Sequence, residues 1–179
     1  GGRFYFYEMA LQIIQTADGS SSFYNEELDE TYHSRHGAIQ EAKHVFLKMG
    51  LEPILRDHES IDLMEIGFGT GLNAWLTAVN VLGKNKKIDY LGVEAYPISE
   101  EQMISLNYHH FSNSEEEKLL FKKIHEIPWE EKGEIHPHFL LTKRKQDFKD
   151  IEDENAFDLI YFDAFGPRVQ PELWTEEIF

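Results

Sequence analysis

Three glycines spaced two apart, Gly67, Gly69 and Gly71, follow the apolar run Ile61 to Ile66 and lead into Leu72 and Asn73. A strand turning through such glycines into a helix leaves bare main chain at a helix N-terminus, where N–H groups lack partners and the dipole is positive. That arrangement suits a nucleotide-like cofactor lying against the backbone. Three acids stand where they would complete a site. Glu94 closes the apolar run Ile88 to Val93, where a carboxylate accepts both hydroxyls of a ribose. Asp147 follows a run from about Phe139 to Thr142 and is placed to take the exocyclic amine of adenine, with Asp150 and Asp153 close by. Asp163 closes Phe157 to Phe162, in Phe162-Asp163-Ala164-Phe165-Gly166-Pro167.

These residues need a frame that brings four strand ends together. From Ile61 onward strands alternate with helices, the signature of a parallel sheet with crossover helices, and ligands of such sheets bind beyond the carboxyl ends of the strands. The first crossover helix carries Leu72, Trp75, Leu76, Val79 and Leu82 and stops at Gly83. Ser99 to Gln102 and Ser114 to Glu117 both match the capping box and predict two helix starts, and Pro128 and Gly133 then mark a loop. Upstream, Ala17-Asp18-Gly19-Ser20 predicts a hairpin over residues 11–24, and a helix is expected from about Gly37 to Met49, ended by Gly50. Glu41 and His44, with His33 and His36, form a polar group read as caps or pocket lining in preference to a metal site. The expected organisation is an N-terminal hairpin and helix, residues 1–50, over a Rossmann-like α/β core, residues 51–179. The chain stops inside a helix beginning near Pro171, so further strands are expected beyond it.

A length of 179 residues is enough for one domain with a substantial core. The absence of cysteine excludes disulfide frameworks and thiolate metal sites and is compatible with the cytoplasm, the expected location. No apolar run approaches bilayer length, the stretch Phe4 to Ile14 being broken by Glu8 and Gln12, so no membrane partner is expected. The formal charge of −16 lacks the basic patch that phosphate neutralisation favours. Lys84, Lys86 and Lys87, Lys122 and Lys123, and Lys143, Arg144 and Lys145 read as ordinary solvated clusters, and composition alone leans towards a small-molecule substrate.

The glycine spacing narrows the cofactor. Dinucleotide folds favour G-x-G-x-x-G, which receives a pyrophosphate. Here the order is Glu65-x-Gly67-x-Gly69-x-Gly71, which resembles the first motif of Rossmann-like S-adenosylmethionine (SAM) methyltransferases. Asp163 with Phe165 and Pro167 is a variant of the segment with which amine methyltransferases grip N–H groups and stack the attached ring. Such chemistry asks mainly for in-line positioning of a neutral lone pair, and a carboxylate such as Asp163 can hold an ammonium and help its proton leave.

Asp18-Gly19-Ser20, Tyr32-His33-Ser34, His36-Gly37-Ala38, His44-Val45-Phe46, Glu65 to Asn73, Tyr161 to Phe165 and Gln170 to Trp174, taken in that order, resemble the methyltransferase domain of the MnmC family of tRNA wobble-uridine modification enzymes. The likeness covers most of the chain from Leu11 on. It implies SAM-dependent conversion of 5-aminomethyl-2-thiouridine in tRNA to its methylaminomethyl form. Glu65, Gly67, Gly69, Gly71, Asn73, Glu94 and Asp147 would hold SAM, with Tyr32 and His33 in a segment folding over the pocket. Asp163 would be catalytic, beside the amine, and Phe165 and Pro167 would touch substrate. The FAD-dependent oxidase half of the bifunctional enzyme has no counterpart in this sequence, so a separate oxidase partner is implied. A small-molecule amine methyltransferase and a degenerate SAM-fold scaffold are the competing expectations.

Overall fold

Six strands form one sheet in the computed structural model, which describes residues 6–8, 37–99, 112–152 and 157–163. They are β1 (Phe6–Glu8), β2 (Ser60–Ile66), β3 (Lys87–Glu94), β4 (Lys132–His136), β5 (Phe139–Lys145) and β6 (Leu159–Phe162). The spatial order is β1-β6-β2-β3-β5-β4, parallel throughout except for the antiparallel pair β4 and β5. The four strands expected from the apolar runs are β2, β3, β5 and β6, and the Rossmann-like α/β architecture holds. Their carboxyl ends lie side by side, because Ile66 pairs with both Val93 and Phe162, and Glu94 pairs with Lys145.

Side chains alternate across this sheet, as the two-residue period of a strand requires. One face carries Met64, Ile66, Leu91, Val93, Ile160 and Phe162, packed with Phe148, Ile151 and Phe157. The other carries Ile61, Leu63, Ile88, Tyr90, Phe139, Leu141, Leu159 and Tyr161 under the helices. Those helices are α1 (residues 37–57), α2 (Leu72–Val81) and α3 (Glu115–Glu126).

Two expectations need correcting. Gly50 does not end α1. The helix takes a π-helical form over Lys43–Leu51, with Glu52 N–H donating to Leu47 O five residues back, and continues α-helical through Glu52–Asp57. Leu51, Ile54 and Leu55 extend its buried face, so packing overrides the glycine. The wider π turn also precedes Pro53, whose ring a regular turn would drive against the carbonyl four residues earlier. Likewise Gly133 lies in strand β4 and not in a loop. A Cβ there would come within 3.1 Å of Ile127 Cγ2, so the glycine lets the strand pass close to the end of α3.

The edge of β6 that the sequence left bare is paired with β1, in the register Phe6 to Ile160. The capping box at α3 forms with a shift. Ser114 Oγ accepts from Glu117 N–H at 3.2 Å, while the Glu117 carboxylate accepts from Asn113 N–H at 2.7 Å, one residue earlier than the pattern predicts. The hairpin of residues 11–24, the helix starting at Ser99 and the helix near Pro171 fall outside the described residues. No helix among those described is long and apolar enough to cross a membrane.

Candidate active site

The glycine turn joins β2 to α2 with φ of 88° at Gly67, 53° at Gly69 and 81° at Gly71, angles at which any side chain is strained. Gly67 and Phe68 N–H both donate to Val93 O at 2.9 Å, tying the turn to the end of β3. Among the described residues a Cβ at Gly69 would have only Gly67 O at 3.8 Å and Glu94 Oε1 at 4.0 Å near it, so the glycine leaves open backbone there. Gly69 N–H donates to Glu94 Oε1 at 2.8 Å, and Tyr96 N–H donates to Oε2 at 3.2 Å. A carboxylate offers about four acceptor directions, so these bonds still leave room for a ribose hydroxyl. Bare turn and neighbouring acid therefore fit a nucleoside-bearing cofactor.

Beneath the turn the sheet carries a polar rung. Tyr161, Glu65, Gly92 and Lys143 pair in line across β6, β2, β3 and β5 on the helix-covered face. Glu65 is fully buried. Its Oε1 accepts from Tyr90 O–H at 2.8 Å, and its Oε2 accepts from Asn73 Nδ2–H at 2.7 Å. The same Nδ2 donates to Asp163 Oδ2 at 2.9 Å. Asn73 and Asp163 are only 2% and 3% exposed, yet Asn73 Oδ1 and Asp163 Oδ1 have no hydrogen-bond partner among the described residues. Buried oxygens left unpaired cost stability, which marks them as groups awaiting a donor.

Burial pushes the Glu65 carboxyl up to about 8, against the pull of its bonds from Asn73 and Tyr90. Asp163 rises well above the carboxylate range, first through burial and then through the negative charge of Glu65, Glu94 and Glu41. Glu94 is raised by burial, which its bonds from Tyr96, Gly69 and Ala95 N–H oppose. Four acids from α1, β2, β3 and the end of β6 thus act on one spot, an environment that favours a cation and holds protons without one.

The turn is braced from below by groups to which the sequence reading gave no part in the site. Phe68 lies on Gly92, where an added Cβ would sit 2.3 Å from Phe68 Cδ2. A glycine inside an apolar strand, between Leu91 and Val93, was the available signal for this close approach. His125 Nε2–H donates to Thr70 O at 2.8 Å, and Lys143 Nζ donates to His125 O at 3.3 Å while lying 5.2 Å from the centre of the Trp129 ring. Lys143 is 1% exposed, which corrects its assignment to a solvated cluster, and burial lowers it to about 8.

Burial, with the nearby Lys143 charge, lowers His125 to about 4 from its ordinary 6.5. Above pH 6.5 the ring is neutral folded or unfolded and adds no pH dependence. As the pH falls from 6.5 to about 4 the unfolded chain takes a proton that the folded one refuses, so stability drops, by roughly 3 kcal/mol at most. Denaturant titrations from pH 7 to 4 should show this slope, shallower in His125→Gln. An equal slope in the two proteins would remove His125 from the account.

Of the residues expected at the site, Gly67, Gly69, Gly71, Glu94, Glu65, Asn73 and Asp163 lie together at the strand ends. Asp147 is exposed just beyond β5, where its Oδ1 accepts from Lys149 N–H at 3.0 Å and starts a 3-10 turn, Phe148–Asp150. Its neighbour Gln146 N–H donates to Glu94 O at 3.1 Å, which keeps Asp147 at the same end of the sheet. Tyr32, His33, Phe165 and Pro167 fall outside the described residues. Tyr96, 71% exposed and two residues past Glu94, is an aromatic that the sequence reading passed over. Among the described residues no three His, Asp or Glu side chains cluster to hold a metal.

Residues 111–179 match the family of S-adenosyl-L-methionine-dependent methyltransferases, which agrees with the cofactor expected from the glycine turn. The chain is 29% identical over 169 residues to a protein of Leptospira borgpetersenii serovar Hardjo-bovis (strain JB197) named tRNA 5-methylaminomethyl-2-thiouridine biosynthesis bifunctional protein MnmC. That match covers 86% of this chain and 25% of the relative. The MnmC protein of Campylobacter fetus subsp. fetus (strain 82-40) is 28% identical, over 87% of this chain and 26% of the relative. This chain thus spans about a quarter of the length of these curated relatives. Among solved structures, MnmC2 from Aquifex aeolicus superposes with a TM-score of 0.53 at 20% identity, covering 79% of this chain and 44% of that one, a likeness of fold. In sequence over most of its length, and in the fold that carries its glycine turn and strand-end acids, the chain resembles an MnmC-like methyltransferase domain.

Proposed function

We propose that this chain transfers a methyl group from SAM to the primary amine of 5-aminomethyl-2-thiouridine at the tRNA wobble position, giving 5-methylaminomethyl-2-thiouridine. The observation that carries the reading is Asp163, a buried carboxyl with one oxygen unpartnered, held through Asn73 against the strand that opens the glycine turn. The tRNA and the modified base rest on the relatives' names, proteins of tRNA 5-methylaminomethyl-2-thiouridine biosynthesis.

In this proposal the backbone of Gly67, Gly69 and Gly71, the Glu94 carboxylate and Asp147 hold SAM, with Tyr32 and His33 over it. Glu65 and Asn73 set the floor of the pocket, and Phe165 and Pro167 take the substrate ring. Bound SAM supplies an activated methyl, so the protein's task is to deliver a neutral amine in line. An alkyl amine arrives protonated at neutral pH. Asp163, ionised once the SAM cation is bound, attracts that ammonium, and its burial and acidic neighbours raise its proton affinity so that it takes the proton that frees the lone pair.

Proton linkage follows from the same acids. A cation bound beside Glu65, Glu94 and Asp163 favours their ionised forms, so binding of SAM should release protons and tighten as the pH rises from about 4.5 to about 8. Calorimetry in two buffers of different ionisation enthalpy measures this directly. Binding with no net proton release would count against the acid cluster as the cofactor's surroundings.

The activity itself is tested by incubating the protein and labelled SAM with tRNA from cells that accumulate the aminomethyl nucleoside. Label in methylaminomethyluridine supports the proposal, and SAM binding without labelled tRNA refutes the substrate. The charge of −16 favours one alternative, a small-molecule amine as acceptor. A separate FAD-dependent oxidase generating the amine, and a cytoplasmic location, complete the proposal.

A further inference from the structure

The unpartnered oxygens of Asn73 and Asp163 carry a consequence for specificity, which rests on the amine reading above. Asn73 lies between two carboxyl groups, and its Nδ2 donates to both, to Glu65 Oε2 at 2.7 Å and Asp163 Oδ2 at 2.9 Å. An amide so flanked must turn its donor end to the acids and its Oδ1 away from them. The two orphan acceptors therefore belong to residues one hydrogen bond apart, each at least nine-tenths buried. Thr77 Oγ1–H donates to Asn73 O at 2.6 Å, on the first turn of α2. The residue is thus held at its side-chain donor end and at its main-chain carbonyl.

We propose that Asn73 Oδ1 and Asp163 Oδ1 form a two-acceptor seat for the N–H groups of a primary amine, and that this seat limits transfer to one methyl per nitrogen. A neutral primary amine has two N–H donors and one lone pair. With both donors engaged, the lone pair is left for the methyl carbon. The N–C bond forms as the S–C bond breaks, its electron pair stays on sulfur, and the nitrogen loses one proton to water, because Asp163 has already handled the proton of the incoming ammonium. In the neutral form that a second transfer requires, the product has one N–H. A second transfer would press its methyl group against one of the two buried acceptors and leave that oxygen unpaired, which a polar site resists strongly.

Two measurements on this chain test the seat, one of them independent of turnover. By fluorescence anisotropy, with a cationic, non-transferring SAM analogue bound and at a pH where both amines are neutral, tRNA bearing the primary amine should bind about tenfold more tightly than tRNA bearing the methylated amine, and Asn73→Ser should erase that difference. In turnover, the native chain should prefer the primary amine over the secondary by at least about 100-fold in kcat/KM, and Asn73→Ser should narrow the ratio and yield dimethylated nucleoside. Should Asn73→Ser not fold, the native chain alone decides. Equal binding of the two tRNAs, or a second methyl added as fast as the first, overturns the two-acceptor seat and leaves the proposed function standing. No transfer to the primary amine, with SAM bound, removes both.

Discussion

Asp163→Asn should lower methyl transfer by about 10²- to 10⁴-fold while leaving the fold at least as stable, with SAM still bound, more weakly and with less proton release. The substitution keeps the shape of the side chain. Because the Asp163 carboxyl is buried among Glu65, Glu94 and Glu41, it takes on charge reluctantly, and an amide removes that penalty. Asn73 Nδ2–H requires an acceptor at the Oδ2 position, so the new amide must turn its oxygen there and its NH2 to the place of the orphan Oδ1. A donor would then face the amine's own N–H groups, and no base would remain to take the proton. Single-turnover methylation, thermal denaturation and SAM calorimetry on the one variant separate these effects. Near-native turnover would dismiss Asp163 as the amine's partner. Loss of folding would show that its charge is structural.

The second large effect is expected at a residue that touches neither substrate in the proposed arrangement. Gly92→Ala should destabilise the protein by about 1–3 kcal/mol, the usual cost of overpacking, and weaken SAM binding at least tenfold. The new methyl would stand 2.3 Å from Phe68 Cδ2 and 3.0 Å from Cγ, inside the ring's contact distance. Phe68 has little room to retreat, since Trp129 and His125 rings lie 6.0 and 6.5 Å from its centre. It belongs to the glycine turn, and its own N–H is fixed to Val93 O. Moving the ring therefore moves Gly67 and Gly69, the backbone proposed to hold the cofactor. Calorimetry of SAM binding and denaturant unfolding check both parts. A variant that loses stability but keeps native SAM affinity would mean that the turn is braced independently of Phe68.

Local signals were reliable where the residues that make them also experience them. The glycines at positive φ, the apolar runs that form β2, β3, β5 and β6, and the serine at the start of α3 each act within a few residues, and all stand as read. The errors came where a distant contact decided. Gly133 carries a loop signal, yet its strand forms because the missing Cβ admits Ile127. Gly50 carries a stop signal, yet α1 continues because Leu51, Ile54 and Leu55 find a core. Lys143 sits in a basic run but lies under Trp129 and the end of α3, which its own strand cannot announce.

The amino-acid order by itself determined the parallel-sheet core, the bare turn suited to a cofactor and the acids at the strand ends, since these follow from periodicity, backbone preference and position along each strand. Only the tertiary structure decided that Asp163, distant in sequence, shares the Asn73 amide with Glu65, and that two buried oxygens are left over. Hydrogen-bond satisfaction depends on which strands become neighbours, and pairing Ile66 with Phe162 brings the end of β6, and with it Asp163, to Asn73.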